Sequence, residues 1–205
     1  MRKSKAETAE TRRRIVEVAA GMFRANGIHA TGLADVMAAA GLSHGGFYRH
    51  FESKDQLVAE ACEAGTADIL EALEAAAGNC AGQDGFRALV EAYLSLAHRD
   101  APGNGCPLAS MGSELARADE GTRAVASQST DELIAMLAQR LANPVDAVDA
   151  VDPQGDAPSD AVRSRAVFAL SAMVGALTLA RISTDPQTSA SLLADVRQQL
   201  AAIEV

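Results

Sequence analysis

A short stretch near the N-terminus, GLSHGGFYRHFESK (residues 41–54), concentrates side chains that can donate hydrogen bonds. The donors are His44, Tyr48, Arg49, His50 and Lys54. Each can bind a phosphate oxygen, and arginine also recognises the edges of bases in the major groove. Two adjacent glycines lie among them, although a glycine inside a helix costs about 1 kcal/mol relative to alanine. Such a pair indicates a surface that another molecule approaches closely.

The helix that would carry these donors is predicted over residues 44–51, directly after a tight turn that contains Gly41. At about 100° per residue, Phe47 and Phe51 fall on one side of this helix, which must be the core side. Both glycines and Arg49 fall on the opposite, outward side. A helix, a tight turn and a second helix with a narrow, donor-rimmed outer face form the helix-turn-helix arrangement, which enters the major groove.

The neighbouring elements show start and stop signals of their own. An apolar stripe with helical spacing predicts a first helix that ends at Gly27. Thr31 is the predicted N-cap of the second helix. Ser53 and Gln56 form a capping box at the start of a fourth helix, which continues to about residue 77.

The remainder of the chain is predicted to be helical as well. The segments are about 84–100, 107–118, 120–142, 159–182 and 186–203, with a mobile loop rich in proline and aspartate at about 143–159. The predicted fold class is therefore all-α. A three-helix DNA-binding domain occupies residues 1–54, and a larger helical domain occupies residues 55–205.

Composition and charge support this division. Aromatic residues make up only 3% of the chain and alanine dominates, which favours helices packed closely together over a sheet. Residues 1–54 carry nine Lys/Arg and five Asp/Glu, a net +4, whereas residues 55–205 carry nine and twenty-two, a net −13. This split indicates a small basic module on an acidic body. The charged N-terminus and the lack of a long uncharged apolar run predict a cytoplasmic protein without a membrane segment.

Residues 12–58 resemble the DNA-binding region of the TetR family of bacterial transcriptional repressors. The resemblance rests on FRANGIHAT, LADVMAAAGLS and above all FYRHFESKDQL. It implies that phosphates are held by Thr31, Tyr48, His50 and Lys54, and that base edges lie at or near Ser43, His44, Gly45 and Gly46. The glycines offer no side chain, so base recognition would rest on His44, Arg49, thymine methyl groups and groove shape.

The same resemblance implies a ligand-responsive repressor that binds palindromic operator DNA as a homodimer, without a cofactor. The helix at 159–182 is apolar on most faces, which favours a dimer interface through residues 159–203, with a buried central helix of one subunit as the alternative. An inducer cavity is expected among the fourth to eighth helices, with a largely apolar molecule as its occupant, because methionine-lined cavities adapt to such ligands. The predicted lining residues are Phe86, Tyr93, His98, Cys106, Ser110, Met111, Met136, Phe168 and Met173. The alternative is that these residues simply fill the core.

Two other classes of function stay open at this point. One is an all-helical small-molecule binding or scaffold protein that does not bind DNA. The other is a redox or electrophile sensor through Cys106, whose place at a helix N-terminus favours the reactive thiolate, although free cysteines are often simply buried. The chain carries no nucleophile elbow, zinc-protease motif or P-loop, so it is not expected to be an enzyme. Its three cysteines lack the spacing of a metal site.

Overall fold

The computed structural model describes residues 5–142 and 159–203, and all regular structure in these ranges is helical. The helices are α1 (Lys5–Asn26), α2 (Leu33–Ala39), the 3₁₀ helix η1 (His44–Arg49), α3 (Lys54–Ala77), α4 (Gly82–Tyr93), α5 (Leu96–Asp100), the 3₁₀ helix η2 (Pro102–Asn104), α6 (Pro107–Leu115), α7 (Glu120–Leu141), α8 (Asp160–Ile182) and α9 (Pro186–Ala201). The predicted all-α class is confirmed. The loop predicted at about 143–159 lies, apart from its last residue, outside the described residues.

The predicted signals mark several helix ends. Gly27 and Gly41 follow α1 and α2 with φ values of 87° and 71°, the left-handed conformation that favours glycine after a helix. The Ser53 hydroxyl accepts a hydrogen bond from the amide of Gln56 at 3.0 Å. The Gln56 side chain in turn accepts one from the amide of Glu52 at 2.7 Å. This is the predicted capping box, and α3 begins directly behind it.

Two helix boundaries differ from the prediction. The N-cap of α2 is Gly32 and not Thr31, whose hydroxyl donates back to the carbonyl of Gly27 at 2.7 Å. The helix predicted at about 84–100 is divided into α4 and α5. The division falls at Ser95, whose hydroxyl accepts from the amide of His98 at 3.1 Å and so caps a new helix.

The segment that carries the DNA-binding donors, η1, is a 3₁₀ helix and not the predicted α-helix. Its hydrogen bonds join residues three apart, from the amide of Gly46 to the carbonyl of Ser43 and from His50 to Phe47. A 3₁₀ helix turns by about 120° per residue, so its side chains point in directions different from those of an α-helix. The faces assigned from the α-helical period therefore need correction.

One compact unit consists of the described residues up to Ile69 together with Ala101–Ser129. Its core is built from apolar side chains of α1, α2, η1, α3 and α6. Those buried most completely include Ile15, Phe23, Met37, Phe47, Phe51, Leu57 and Met111. Because α6 contributes Met111 and Leu115 to the same core, this unit extends beyond the predicted N-terminal domain.

The other compact unit consists of Leu70–Asp100 and the described residues from Thr130 onward. In it, α9 packs on both α8 and α4. The side chain of Gln83 in α4 donates to the carbonyl of Ile203 at 2.9 Å, and the hydroxyl of Ser189 in α9 donates to the carbonyl of Ala180 at 2.6 Å. These bonds fix both ends of α9.

Within the described chain, α8 leaves much of its apolar surface exposed. Phe168, Leu179 and Ile182 are 62%, 54% and 68% exposed, and helical spacing puts them on one face together with Gly175. The prediction of Phe168 as a core residue is therefore wrong, and its contact with a ligand stays a prediction. By length and mean hydropathy, 1.5 over one window, α8 would also suffice to cross a membrane, but the core helices of soluble proteins pass the same test.

Candidate nucleic-acid interface

The inner side of η1 is anchored by two aromatic rings. Phe47 and Phe51 are 0% and 2% exposed, and their rings stack with centroids 5.4 Å apart. The Arg12 guanidinium lies 4.5 Å from the centroid of the Phe51 ring, and its Nε donates to the carbonyl of His50 at 3.2 Å. Arg12 also pairs with Glu60 of α3. These contacts tie the end of η1 to α1 and α3 and so fix the direction of its outer face.

The outer side of η1 carries most of the predicted DNA-binding residues. The exposed ones are Ser43, His44, Gly45, Tyr48 and Arg49. The Tyr48 side chain is 70% exposed, although its ring also meets that of Phe47 edge-on at 5.2 Å. A Cβ added at Gly45 would have no atom within 4 Å, so this glycine leaves a gap in the outer surface. Exposed donors thus flank a place where another backbone can come close.

Gly46 and His50 are only half-exposed. A Cβ at Gly46 would lie 3.6 Å from Cε of Met37, so this position is turned toward α2. The expectation that both glycines lie on the outward face is therefore wrong for Gly46. The cause is the tighter 3₁₀ turn, which moves each residue further round the axis than an α-helix does. The phosphate contact of His50 stays a prediction.

Lys54 and Thr31, the other predicted phosphate ligands, make contacts inside the protein. Nζ of Lys54 donates to the carbonyls of Ile28 and Thr31 at 2.6 and 2.8 Å. Thr31 is only 2% exposed, and this burial disfavours the predicted contact of its side chain with a phosphate. Because two of the three ammonium protons of Lys54 are engaged by carbonyls, its phosphate contact stays a prediction.

The residues predicted to line an inducer cavity are mostly packed into cores. Phe86, Tyr93 and Met173 are at most 1% exposed, and Met136 is 7% exposed, all in the unit that contains α4, α8 and α9. Cys106, Ser110 and Met111 belong to the other unit, where Cys106 and Met111 are buried. The burial of Cys106 at 0% exposure disfavours the sensor alternative, because reactive cysteines are partly exposed.

His98 of α5 is held by the backbone of the preceding helix. Its Nδ1 lies 2.7 Å from the carbonyl oxygen of Tyr93, and since a carbonyl only accepts, Nδ1 carries the proton. The two rings also meet edge-on with centroids 4.7 Å apart. Burial lowers the pKa of His98, partly opposed by the bond to Tyr93 and reinforced by the charge of Arg181. A neutral, structural histidine results.

A cavity of about 280 Å³ opens beside the turn between α8 and α9. Its lining consists of Arg99, Asp100, Ala180, Arg181, Ser183, Thr184, Pro186 and Ser189, none of which is a predicted ligand residue. The Arg99 guanidinium pairs with Asp100 at 2.7 Å and donates to Ser189 at 3.0 Å. Arg181 donates to the carbonyls of Arg99 and His98. The two cations thus serve local structure, and the cavity is polar.

Sequence reasoning missed Arg24, whose side chain is only 4% exposed. Its Nη1 donates to the carbonyls of Gly65 in α3 and Gly105, both at 3.2 Å, and its Nη2 pairs with Asp68 at 3.0 Å. One signal was available: Arg24 is four residues after Ala20, on the buried side of α1. The partners, however, are mostly backbone carbonyls, which no side-chain pattern reveals.

The geometry of η1 defines the class of protein. A short helix, a turn through Gly41 and a second short helix with buried aromatics inside and exposed donors outside make a helix-turn-helix DNA-binding surface. The chain matches the family model of bacterial regulatory proteins of the TetR family over residues 15–61 and that of the tetracycline repressor-like C-terminal domain over residues 82–196. It therefore belongs to the TetR family of bacterial transcriptional regulators.

Individual relatives agree with this assignment. The regulator AcrR of Shigella flexneri is 39% identical over 70 residues, and the chain spans only about a third, 33%, of its length. The regulator Rv0196 of Mycobacterium tuberculosis is 28% identical over 180 residues, which cover 85% of this chain and 86% of that protein. The crystal structure of a TetR regulator from Chloroflexus aurantiacus is 28% identical with a TM-score of 0.73, covering 96% of this chain and 94% of the other.

Proposed function

We propose that this regulator is a ligand-responsive repressor that binds palindromic operator DNA as a homodimer, with η1 in the major groove. The observation that carries the proposal is the outer face of η1, where exposed donors surround the gap at Gly45. Buried Phe47 and Phe51 hold this face in place from behind. The protein would act in the cytoplasm, on the nucleoid when bound.

Selection of bound duplexes from a random pool tests the proposal directly. We expect a palindromic site, with half-sites separated by about one helical turn, roughly 34–36 Å, or a little more, because two-fold protein symmetry imposes it. An asymmetric single half-site would contradict the homodimer. Failure to select any sequence over random DNA at low salt would favour the rival class, a helical binding or scaffold protein without a DNA function.

Within the site, the exposed residues have different roles. His44 is placed to contact base edges, so His44→Ala should change the base preferred at symmetric positions. Tyr48 is assigned to a phosphate, so Tyr48→Phe should weaken binding to all sequences about equally. Repeating the selection with each variant distinguishes the roles, and an equal loss on every site for His44→Ala would contradict its assignment.

The exposed apolar face of α8 supports the homodimer. Phe168, Leu179 and Ile182 lie on it, and a Cβ at Gly175 would meet no atom within 4 Å in the single chain. A two-fold axis would bring this face onto its copy and cover it. Phe168 is thereby assigned to the interface and not to the ligand.

Sedimentation of paired variants tests the interface. The arginine side chain of Gly175→Arg would extend into open space in a single subunit but would collide with the partner subunit in the dimer. This substitution should therefore dissociate the dimer and leave the helical content unchanged. Gly175→Ala is the matched control and should remain dimeric. A well-folded monomer of the unsubstituted chain at micromolar concentration would overturn the assignment.

For the inducer, we propose a small, largely apolar molecule bound among Phe86, Tyr93, Met136 and Met173. All four side chains are buried in the same compact unit, and two of them are methionines, which can rearrange around a ligand. A thermal-shift screen tests this, because a ligand at 100 times its Kd stabilises by about 2.7 kcal/mol. Apolar hits should raise the Tm and release operator DNA. Anionic hits that Arg99→Met abolishes would instead assign the ligand to the polar cavity beside the α8–α9 turn.

A further inference from the structure

The loop between α1 and α2 is held by two side chains of opposite charge. The Lys54 ammonium group donates hydrogen bonds to two carbonyl oxygens of the loop, those of Ile28 and Thr31. Glu114 of α6 binds two backbone amides of the same loop. The N–H groups of Ile28 and His29 donate to its carboxylate at 3.0 and 2.8 Å. The loop backbone is thus gripped from both sides.

The His29 imidazole adds a third donor to the same carboxylate. Its Nδ1 lies 2.7 Å from Oε1 of Glu114, which is 18% exposed whereas His29 is 82% exposed. Burial by itself would raise the pKa of Glu114, but the hydrogen bonds from His29 and Ile28 outweigh burial and lower the pKa. Glu114 is therefore an ionised carboxylate at neutral pH, with donors on both oxygens.

Gly27 completes the fit. A Cβ at this position would lie 3.0 Å from Oε2 of Glu114, and its φ of 87° also favours glycine. A side chain here would require the Glu114 carboxylate to shift by a few tenths of an ångström.

The helix that carries Glu114 is attached to α1 at its other end as well. Gly105, just before α6, accepts a hydrogen bond from Arg24 of α1 at 3.2 Å. Between the two ends, Met111 and Leu115 pack in one core with Phe23 of α1. The start of α6 is thus attached to α1, and Glu114 near its end is attached to the loop after α1.

We propose that Glu114 is a positioning residue for DNA recognition: it holds the α1–α2 loop, and with it α2 and η1, in the arrangement that fits operator DNA, without touching the DNA. The inference rests on the proposed DNA-binding function. Glu114 lies outside the region matched by the DNA-binding family model, residues 15–61, and inside the one matched by the C-terminal model. If the loop is released, only a fraction of molecules hold η1 correctly, and the apparent affinity falls by that fraction.

The test compares Glu114→Gln with Glu63→Gln, a matched loss of an exposed carboxylate on α3. Removing a negative charge by itself strengthens attraction to phosphates, so a charge effect and a positioning effect have opposite signs. We expect Glu114→Gln to raise the Kd for the selected operator by about tenfold, typical for loss of a hydrogen bond to a charged group. Glu63→Gln should leave the Kd unchanged or lower it.

Two readouts separate positioning from a general loss of structure. Binding is measured at a temperature where circular dichroism shows both variants fully folded, and the slope of log Kd against log salt should match the unsubstituted chain, because no phosphate contact is lost. Amide hydrogen exchange should accelerate at Ile28 and His29. Glu114→Asp keeps the charge on a shorter side chain and should recover part of the affinity.

The outcomes are distinguishable. A folded Glu114→Gln variant that binds the operator as tightly as the unsubstituted chain would overturn the inference, as would a reduced salt slope, which indicates a direct phosphate contact. An affinity loss that Glu114→Asp does not recover at all also contradicts it. If the unsubstituted chain selects no operator, the proposed function fails and not the role of Glu114 in holding the loop, which hydrogen exchange measures independently.

Discussion

Arg49 and Lys54 lie in the same stretch of sequence, and both are predicted to meet DNA, yet the structure gives them opposite environments. Arg49 is exposed on the outer face of η1, whereas Lys54 is half-buried and donates to two backbone carbonyls. Arg24, whose side chain is 4% exposed, belongs with Lys54 in this contrast. A cation in this DNA-binding unit thus belongs either to the interface or to the buried scaffold that positions the interface, and burial distinguishes the two.

The largest effect should come from the most deeply buried member of the scaffold group. Arg24→Met removes the donors to the carbonyls of Gly65 and Gly105 and leaves both without their charged partner. We expect the free energy of unfolding to fall by about 3 kcal/mol, since hydrogen bonds to charged groups inside a protein are costly to break. Urea denaturation followed by circular dichroism measures the loss.

The matched control for this prediction is Arg13→Met on the same helix. Arg13 is 66% exposed and pairs with the neighbouring carboxylates Glu10 and Glu17 of α1, so the urea midpoint should stay the same within error. Equal losses for both variants would break the division into scaffold and interface.

Lys54→Met and Arg49→Met should have different effects on stability and on DNA binding. Lys54→Met should lower the free energy of unfolding by about 1.5 kcal/mol, because two carbonyls lose a charged donor. The salt slope of DNA binding tests its predicted phosphate contact, since the loss of one such contact in each subunit would reduce the slope by about 2. Arg49→Met should leave unfolding unchanged and change the base preferred at symmetric positions, because Arg49 is predicted to recognise base edges. If Lys54→Met reduces the slope by that amount, the phosphate contact implied by the family resemblance is present as well.

A smaller effect, confined to DNA binding, should appear at the glycine gap. Gly45→Ala meets no atom within 4 Å and should stabilise the free protein by about 0.5 kcal/mol, yet raise the Kd for operator DNA by about tenfold if the gap admits the DNA backbone. Gly46→Ala, turned toward Met37, is the control and should change DNA affinity much less. Similar Kd values for both variants would show that no close approach occurs at Gly45.

Much of the N-terminal unit was predictable from local signals. The glycine stops at Gly27 and Gly41 and the capping box of Ser53 and Gln56 depend on residues close together in sequence, and all appear as predicted. The outward side of η1 was predictable only in part, because the α-helical period gives the wrong direction for Gly46 in a 3₁₀ helix.

What sequence could not predict depends on contacts between distant segments. Lys54 finds carbonyls of the α1–α2 loop, and Glu114 finds amides of that loop 85 residues away. Backbone groups carry no residue-type signal, so neither contact leaves a pattern in the chain. Met111 shows the same limit: a methionine on an apolar stripe indicates a core, but not that the core is the one that also contains Phe47.

The smallest expected effect is the pH dependence of the Glu114 contact. The pKa of Glu114 is lowered from its ordinary value of 4.5 in the folded protein, so its contribution to stability is complete above that value and is lost as the pH falls through the folded pKa. The difference in unfolding free energy between the unsubstituted chain and Glu114→Gln should be constant from neutral pH down to about 5.5 and shrink below it. Asp119 and Asp185 also have lowered pKa values, through bonds to Thr122 and Thr188, and they contribute equally in both proteins. The difference therefore reports Glu114 together with its partner His29, whose Nδ1 lies 2.7 Å from Oε1 of Glu114. The contradicting outcome is a difference in unfolding free energy that stays constant down to pH values well below 4.5. Glu114 would then bind as many protons in the folded state as in the unfolded state, and its charge would play no part in holding the loop.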